Sequence, residues 1–161
     1  VQALNSVSIK QRPHPGGGLA AVDASDVSLL QTVAHWQGRQ DLPVPAQVSL
    51  SSVSRNGRGF CLDVVGSSGS LLLSSTNQKD YVHGFELQHA PLGEPFRAVE
   101  ADADFAFLET WSDGRIAPVA RVLGWWAESI RSGQPMLPGL AEGVASRVAC
   151  DQAAGGTLDL A

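Results

Sequence analysis

The sequence has little positive charge and no long apolar run. It contains 11 Lys and Arg against 16 Asp and Glu in 161 residues, which gives a net charge of −5. The basic residues are scattered, and nucleic-acid binding needs a basic face, so we expect no nucleic-acid partner. No apolar run approaches the roughly 20 residues of a membrane span, and no charged start leads into an apolar segment. We therefore expect no membrane span, no signal peptide and a cytoplasmic location.

Metal-binding and redox spacings are also missing. The two cysteines, Cys61 and Cys150, lie far apart in the sequence and fit no metal or redox motif, so we expect reduced thiols in the core. No two of the four histidines have the i, i+4 spacing of a helical metal site. They are His14, His35, His83 and His89. The sequence therefore predicts no metal site.

Three acidic residues alternate along one segment of the chain. Glu100, Asp102 and Asp104 would share one face of a strand. Such a row could hold a hard cation, or it could be a solvated acidic edge that discourages strand addition. Nothing in the sequence around them completes a cation-binding loop, so the solvated edge is favoured.

One glycine pattern is typical of dinucleotide binding. Gly16, Gly18 and Ala21 fit G-x-G-x-x-A, and Asp41 follows about 20 residues later. The pattern binds a pyrophosphate only where a strand enters a tight turn that opens a helix. Here two prolines separate the strand from the glycines, and the next segment alternates like a strand. We interpret the match as accidental and predict no cofactor bound by this segment.

Most of the chain has the period-two alternation of β-strands. Strand signals begin in residues 1–12 and continue in 26–36 and 44–53, the latter two joined by a polar tip at residues 39–41. Further signals cover 60–65 and 71–73, and weaker ones cover 85–89 and 96–100. Because the turns between them are short, the strands should pair antiparallel.

The pattern changes to a helical period after Gly114. Apolar residues then recur every three or four positions up to Gly133, with Pro118 where a helix can begin, and a second helix is predicted over 140–154. Strands first and helices last predict the α+β class: an open, mostly antiparallel sheet of about six strands with two C-terminal helices on one face. The other sheet face must then be solvated or paired with a partner.

Four segments resemble one enzyme family in their order and spacing. Residues 62–71, LDVVGSSGSL, are similar to the "L-x-V-x-G-S-x-G-x-L" hairpin of the glucose–fructose oxidoreductase and inositol dehydrogenase family (Gfo/Idh/MocA). Residues 126–135, WAESIRSGQP, resemble its "F-x-x-A-I-R-x-G-x-P" helix and turn. Residues 23–30 resemble the acidic start of a sheet strand, and 142–145 with the later Ala153 and Ala154 resemble the closing helix.

The resemblance implies a role as part of a larger enzyme. Members join an N-terminal Rossmann domain, which binds NAD or NADP, to a C-terminal sheet domain, with the substrate between the two. Their catalytic Lys, Asp and His come from E-K-P and D-x-x-x-H motifs that precede the sheet domain, and neither motif occurs here, so no catalytic residue is carried over. The resemblance implies that residues 1–161 form a single C-terminal substrate and oligomerisation domain whose Rossmann domain is absent from this chain. Because the first residue is Val1 and not Met, we expect the chain to have been processed or trimmed at its front.

The resemblance also implies a substrate-side segment before the 60–65 strand. Some polyol dehydrogenases of the family place a Tyr there, whereas this chain has Arg58 with Asn56 nearby. The hypothesis is that Arg58, together with Asn56, faces the substrate cleft and grips a carboxylate or phosphate bidentately. The alternative is a flexible hairpin tip with no ligand.

Three functions remain open at this stage. The first is the substrate-side domain of an NAD(P)-dependent oxidoreductase acting on a sugar, polyol or related hydroxy compound, not catalytic on its own, with its Rossmann domain as partner and the open sheet face as a homo-oligomer interface. The second is the sheet domain of a non-catalytic regulator of the same family. The third is a free-standing ligand-binding or assembly module. Whether the parent is an enzyme rests on motifs outside this sequence.

Overall fold

The computed structural model describes residues 2–23, 26–36, 39–100 and 102–155, apart from the side chains at 34–36, 39–42 and 104. Parts of three sequence-based interpretations lie outside the described residues: the side chains of His35, Asp41 and Asp104. The chain divides into two compact units, Val1–Arg55 with Pro138–Ala161, and Asn56–Leu137. Each unit has its own sheet and its own helix.

The first unit contains five strands and one helix. The strands are β1 (Gln2–Ser6), β2 (Gln11–Pro13), β3 (Leu19–Ala21), β4 (Val27–Trp36) and β5 (Arg39–Ser51), and the helix is α2 (Leu140–Gly155). β1, β4 and β5 form one antiparallel sheet in that order, whereas β2 and β3 form a separate hairpin. β5 carries two prolines and is an edge strand, which is where a missing N–H is tolerated.

Helix α2 packs against β1 through small residues. The side-chain amide of Asn5 donates a hydrogen bond to the carbonyl oxygen of Ala153 over 2.8 Å. Ala3 and Ala153 are both buried. Methyl side chains let the helix and the strand approach closely, so this contact fixes the C-terminal helix on the strand that begins the chain.

Asp26 fastens the first unit at the start of β4. Its carboxylate accepts backbone hydrogen bonds from Ser8 at 2.8 Å and Ile9 at 2.9 Å, and it faces the guanidinium of Arg12 at 3.5 Å. Only 4% of the residue is exposed. The hydrogen bond from the Ser8 N–H is the largest cause that lowers the pKa of Asp26, and burial opposes it. The charged carboxylate thus ties the segment after β1 to β4.

The second unit contains four strands, a 3₁₀ turn at Ala103–Phe105 and one helix. The strands are β6 (Phe60–Gly66), β7 (Gly69–Ser75), β8 (Glu86–Pro91) and β9 (Arg97–Ala98), and the helix is α1 (Ile116–Ser132). The four strands form an antiparallel meander in chain order. In its register, Leu62 pairs with Leu73 and Leu73 with Leu87, and Val64 pairs with Leu71.

These leucine and valine rows make one face of the four-stranded sheet apolar, because alternate residues of a strand share a face. We call this surface the apolar face; it consists of Phe60, Leu62, Val64, Leu71, Leu73 and Leu87. Every residue of this set except Leu73 belongs to the exposed large hydrophobics of the chain. The described residues bury apolar side chains only at four alanines: Ala3, Ala90, Ala117 and Ala153.

Helix α1 agrees with its prediction. It ends at Gly133, which has the left-handed φ of 69° and whose N–H donates to the carbonyl of Ser129. Pro118 lies in the first turn, where its missing N–H is tolerated. The apolar stripe predicted from the sequence is exposed, and Trp126 is 57% accessible. The helix therefore presents its hydrophobic side chains without a large cover from the described part of the chain.

The α+β class with antiparallel strands and two C-terminal helices is confirmed. The strands, however, divide among three sheets instead of one open sheet, since the ladder of β5 does not continue into β6 across residues 52–59. The polar tip at 39–41 is wrong, because β5 already begins at Arg39; polar side chains do not prevent ladder hydrogen bonding. Both cysteines are exposed and not in the core.

No helix within the described ranges is long and apolar enough to cross a membrane.

Candidate functional site

The most varied polar chemistry of the second unit gathers at one end of its sheet. β6 begins there at Phe60, which pairs with Ser75 at the end of β7, and Ser74 next to it pairs with Glu86 at the start of β8. Two irregular segments, 56–59 and 76–85, therefore meet at this end. We call it the sheet end.

Segment 56–59 has a fixed backbone. Asn56 has φ 53°, and among the described residues it is the only one other than glycine with a positive φ. Gly59 has φ 77°, and a Cβ on it would clash with the carbonyl oxygen of Ser75. Asn and Gly are the residues that adopt this left-handed conformation at low cost. Arg58 therefore leaves a constrained backbone that lies against the end of β7.

The guanidinium of Arg58 has no ion pair or hydrogen bond among the described residues. Arg55 shares this property, whereas the other arginines with described side chains are engaged. Five pair with carboxylates: Arg12 with Asp26, Arg97 with Glu94, Arg115 with Asp113, Arg131 with Glu128, and Arg147 with Asp151. Arg121 donates to the carbonyl oxygens of Phe105 and Ala106. Arg58 is thus available to bind an anion.

Asp80 organises the second segment. Its Oδ1 accepts backbone hydrogen bonds from Val82 and His83, both at 3.0 Å, and its carbonyl oxygen accepts one from Gly84 at 2.8 Å. The hydrogen bond from the His83 N–H is the largest cause that lowers the pKa of Asp80. Oδ2 faces Nδ1 of His83 at 3.4 Å, while the His83 side chain is 76% exposed. The carboxylate orients an imidazole whose other nitrogen faces outward.

The start of α1 joins this arrangement. A Cβ at Gly114 would clash with the carboxylate of Asp80, so the two backbones lie close together. Next to Gly114, Arg115 and Asp113 form a two-pronged pair, with Nε–Oδ1 at 2.9 Å and Nη2–Oδ2 at 2.7 Å. This side-chain hydrogen bonding lowers the pKa of Asp113 to about 2. It also raises the pKa of Arg115, to which the charge of Tyr81 adds a smaller contribution.

A row of aromatic rings connects the two segments. The Phe60 and Phe85 rings lie 5.7 Å apart at an angle of 59°, and the Phe85 and Tyr81 rings lie 5.8 Å apart at 13°. Tyr81 therefore stacks nearly parallel on Phe85. The row runs from the strand that follows Arg58 to the side of the sheet end where Arg115 lies.

Together these residues form a polar cluster on an aromatic support. We call it the sheet-end cluster; it consists of Arg58, Asp80, Tyr81, His83 and Arg115. A guanidinium, an oriented imidazole, a phenol and a carboxylate can hydrogen-bond the hydroxyl groups and anionic groups of a small polar ligand. No group of three His, Cys, Asp or Glu suited to a metal ion occurs in the described part of the chain.

The remaining sequence candidates lie elsewhere. Gly16 and Gly18 belong to the tip of the β2–β3 hairpin, where the His14 N–H donates to Gly18 and the Gly17 N–H to His14. Strand β3 follows these glycines, as the alternation predicted, so the turn does not open a helix there. His89 lies in β8 opposite Leu71, away from the sheet end.

Sequence reasoning missed most of the cluster. It predicted Arg58 and Asn56 but treated His83 as a surface imidazole and gave Tyr81 no role. The available signal was the Asp80-x-x-His83 spacing in a turn-rich segment, since Asp side chains commonly accept from N–H groups two and three residues later. The contact with residues 113–115 gave no sequence signal because it depends on tertiary structure.

A comparison with known proteins relates the chain to an oxidoreductase. It is 39% identical over 149 residues to the protein of Synechocystis sp. (strain ATCC 27184 / PCC 6803 / Kazusa) named "Uncharacterized oxidoreductase sll0816". The match covers 91% of this chain but 38% of that protein. The chain therefore spans well under half the length of this relative. No family model and no solved structure matches it.

Proposed function

We propose that this chain is the substrate-side domain of a nicotinamide-dependent oxidoreductase that acts on a sugar, polyol or related hydroxy compound. The observation that carries the proposal is the 39% identity, over most of the chain, to part of a protein named an oxidoreductase. The resemblance to the Gfo/Idh/MocA family supplies the finer content. A preceding Rossmann domain would bind NAD or NADP, which accepts the hydride, so the chain itself needs no catalytic residue.

The packing of the chain supports a docked role. No large side chain of the described residues is fully buried, and the apolar face and the stripe of α1 are exposed. Exposed apolar surface of this extent marks interaction sites in folded proteins. In the proposal, the Rossmann domain and a second copy of the protein are the partners that cover it, and the location is cytoplasmic.

Arg58 is the proposed substrate contact of this chain. Its guanidinium is free and its backbone is held between Asn56 and Gly59 at the sheet end. A free guanidinium at a fixed position suits a carboxylate or phosphate, because its N–H groups match two anionic oxygens. Asn56 would keep Arg58 in place and offer an amide to a substrate hydroxyl.

The test uses the full-length protein that the proposal assumes, in which this chain follows a cofactor domain. We expect it to bind NADH or NADPH, detected by nucleotide fluorescence, and to reduce NAD or NADP with at least one member of a panel of sugars and polyols. The 161-residue chain is the matched control and should do neither. A full-length protein that binds neither nucleotide would overturn the proposal, and one that binds without turnover would be a regulator of the same family.

A further inference from the structure

Tyr81 is the one aromatic side chain of the sheet-end cluster that has both a fixed and an open face. Its ring stacks on Phe85 at 5.8 Å and 13°, so one face is covered. Phe85 is held in turn by Phe60, and the backbone before Tyr81 is fixed by the hydrogen bonds of Asp80. Tyr81 is nevertheless 49% exposed. The ring is therefore pre-positioned, with its second face open.

The surroundings of this ring are polar. Asp80 precedes it in the chain, His83 follows two residues later, and Arg115 interacts with it electrostatically. An apolar protein partner would have to desolvate these groups, which is costly. A ligand with one C–H-rich face and hydroxyl groups at its rim fits better, because the negative face of the aromatic ring attracts C–H groups while the rim is hydrogen-bonded.

We propose that the open face of Tyr81 is the stacking platform for the ring of a cyclic sugar and selects cyclic sugars over open-chain polyols. A pyranose ring offers a rigid C–H face, whereas an alditol must freeze several rotatable bonds to present one. This inference rests on the proposed function, since it places the sugar at the same sheet end, and it narrows the substrate class.

The experiment measures binding by the full-length protein to a panel of methyl pyranosides and the matching alditols. We expect Tyr81→Leu to weaken pyranoside affinity about tenfold, the size of one aromatic stacking contact, and to leave alditol affinity unchanged. Tyr81→Phe keeps the ring and should stay within about twofold of the wild type. Phe96→Leu, an exposed aromatic outside the cluster, is the matched control and should change neither.

A second measurement does not depend on the variants folding. Saturation of the aromatic protons of the wild-type protein should transfer more strongly to the ring C–H protons of a bound pyranoside than to those of an alditol. The proposal is overturned if no pyranoside binds, if the transfer shows no such preference, or if Tyr81→Leu leaves the pyranoside-to-alditol affinity ratio unchanged. Pyranoside binding that is lost in Tyr81→Leu, in a protein without nicotinamide-dependent turnover, would support this inference and refute the proposed function.

Discussion

Asp26 shows how one side chain can hold distant parts of a small unit together. Its carboxylate receives two backbone N–H groups from a segment 17 and 18 residues earlier in the chain. The sequence placed Asp26 at the start of a strand, and that was confirmed. Its partners were not predictable, because Ser8 and Ile9 carry no side-chain feature that marks their N–H groups as donors to a carboxylate.

We expect Asp26→Asn to destabilise the chain at pH 7, because the amide NH₂ group would meet backbone donors. The wild-type pKa is lowered below its usual 3.8, first by the Ser8 N–H. The unfolded chain therefore binds more protons in this range, and the stabilisation is complete above about pH 4 and lost as pH falls through the folded pKa.

Urea unfolding from pH 7 to pH 2 measures this effect. The midpoint of Asp26→Asn should lie below that of the wild type at pH 7, and the two should converge toward pH 2. Asp151→Asn, which removes an exposed carboxylate paired with Arg147, is the control and should change the midpoint little. Equal midpoints for Asp26→Asn and wild type at pH 7 would refute this role.

At the scale of elements, periodicity predicted what each segment is but not what it pairs with. Strands β4 and β6 and both helices agree with the sequence patterns because each buries or exposes side chains with its own regular period. The pairing of β1 with β4 skips the β2–β3 hairpin. That choice depends on contacts between residues far apart in sequence, for which alternation carries no information. The sheet end is assembled by the same kind of contact.

Helix α1 offers a paired test of helix physics. Gly124 lies inside the helix, where a Cβ would meet open space, whereas Gly133 ends it with φ 69°. We expect Gly124→Ala to raise the free energy of unfolding by about 0.5–1 kcal/mol, since Ala loses less backbone entropy. Gly133→Ala should lower it by about 1 kcal/mol, because a Cβ disfavours the left-handed conformation.

Chemical denaturation of the two variants and the wild type gives both values. The opposite signs make each glycine the control for the other. If both substitutions shifted the unfolding free energy in the same direction, the assignment of Gly133 as the end of α1 would be contradicted.

At the scale of the whole molecule, exposed apolar surface is the dominant feature. In the proposed oligomer, the apolar face of the four-stranded sheet lies between copies. We expect Leu62→Glu to lower the oligomer mass of the full-length protein in light scattering, because the new charge would be desolvated at the interface. Val65→Glu, on the opposite face of the same strand, is the matched control and should leave the mass unchanged. An oligomer that is unaffected by Leu62→Glu would place the interface elsewhere.

The most direct test of the account concerns Arg58 in the full-length protein. We expect Arg58→Ala to lower kcat/KM for an anionic hydroxy substrate at least about tenfold, mainly through KM, as befits the loss of a charge-assisted hydrogen-bonding group. Nucleotide affinity should not change. Arg55→Ala, which removes an equally unpaired guanidinium three residues away, should leave kcat/KM near the wild-type value. Unchanged kcat/KM in Arg58→Ala would contradict the assignment of the sheet end to the substrate.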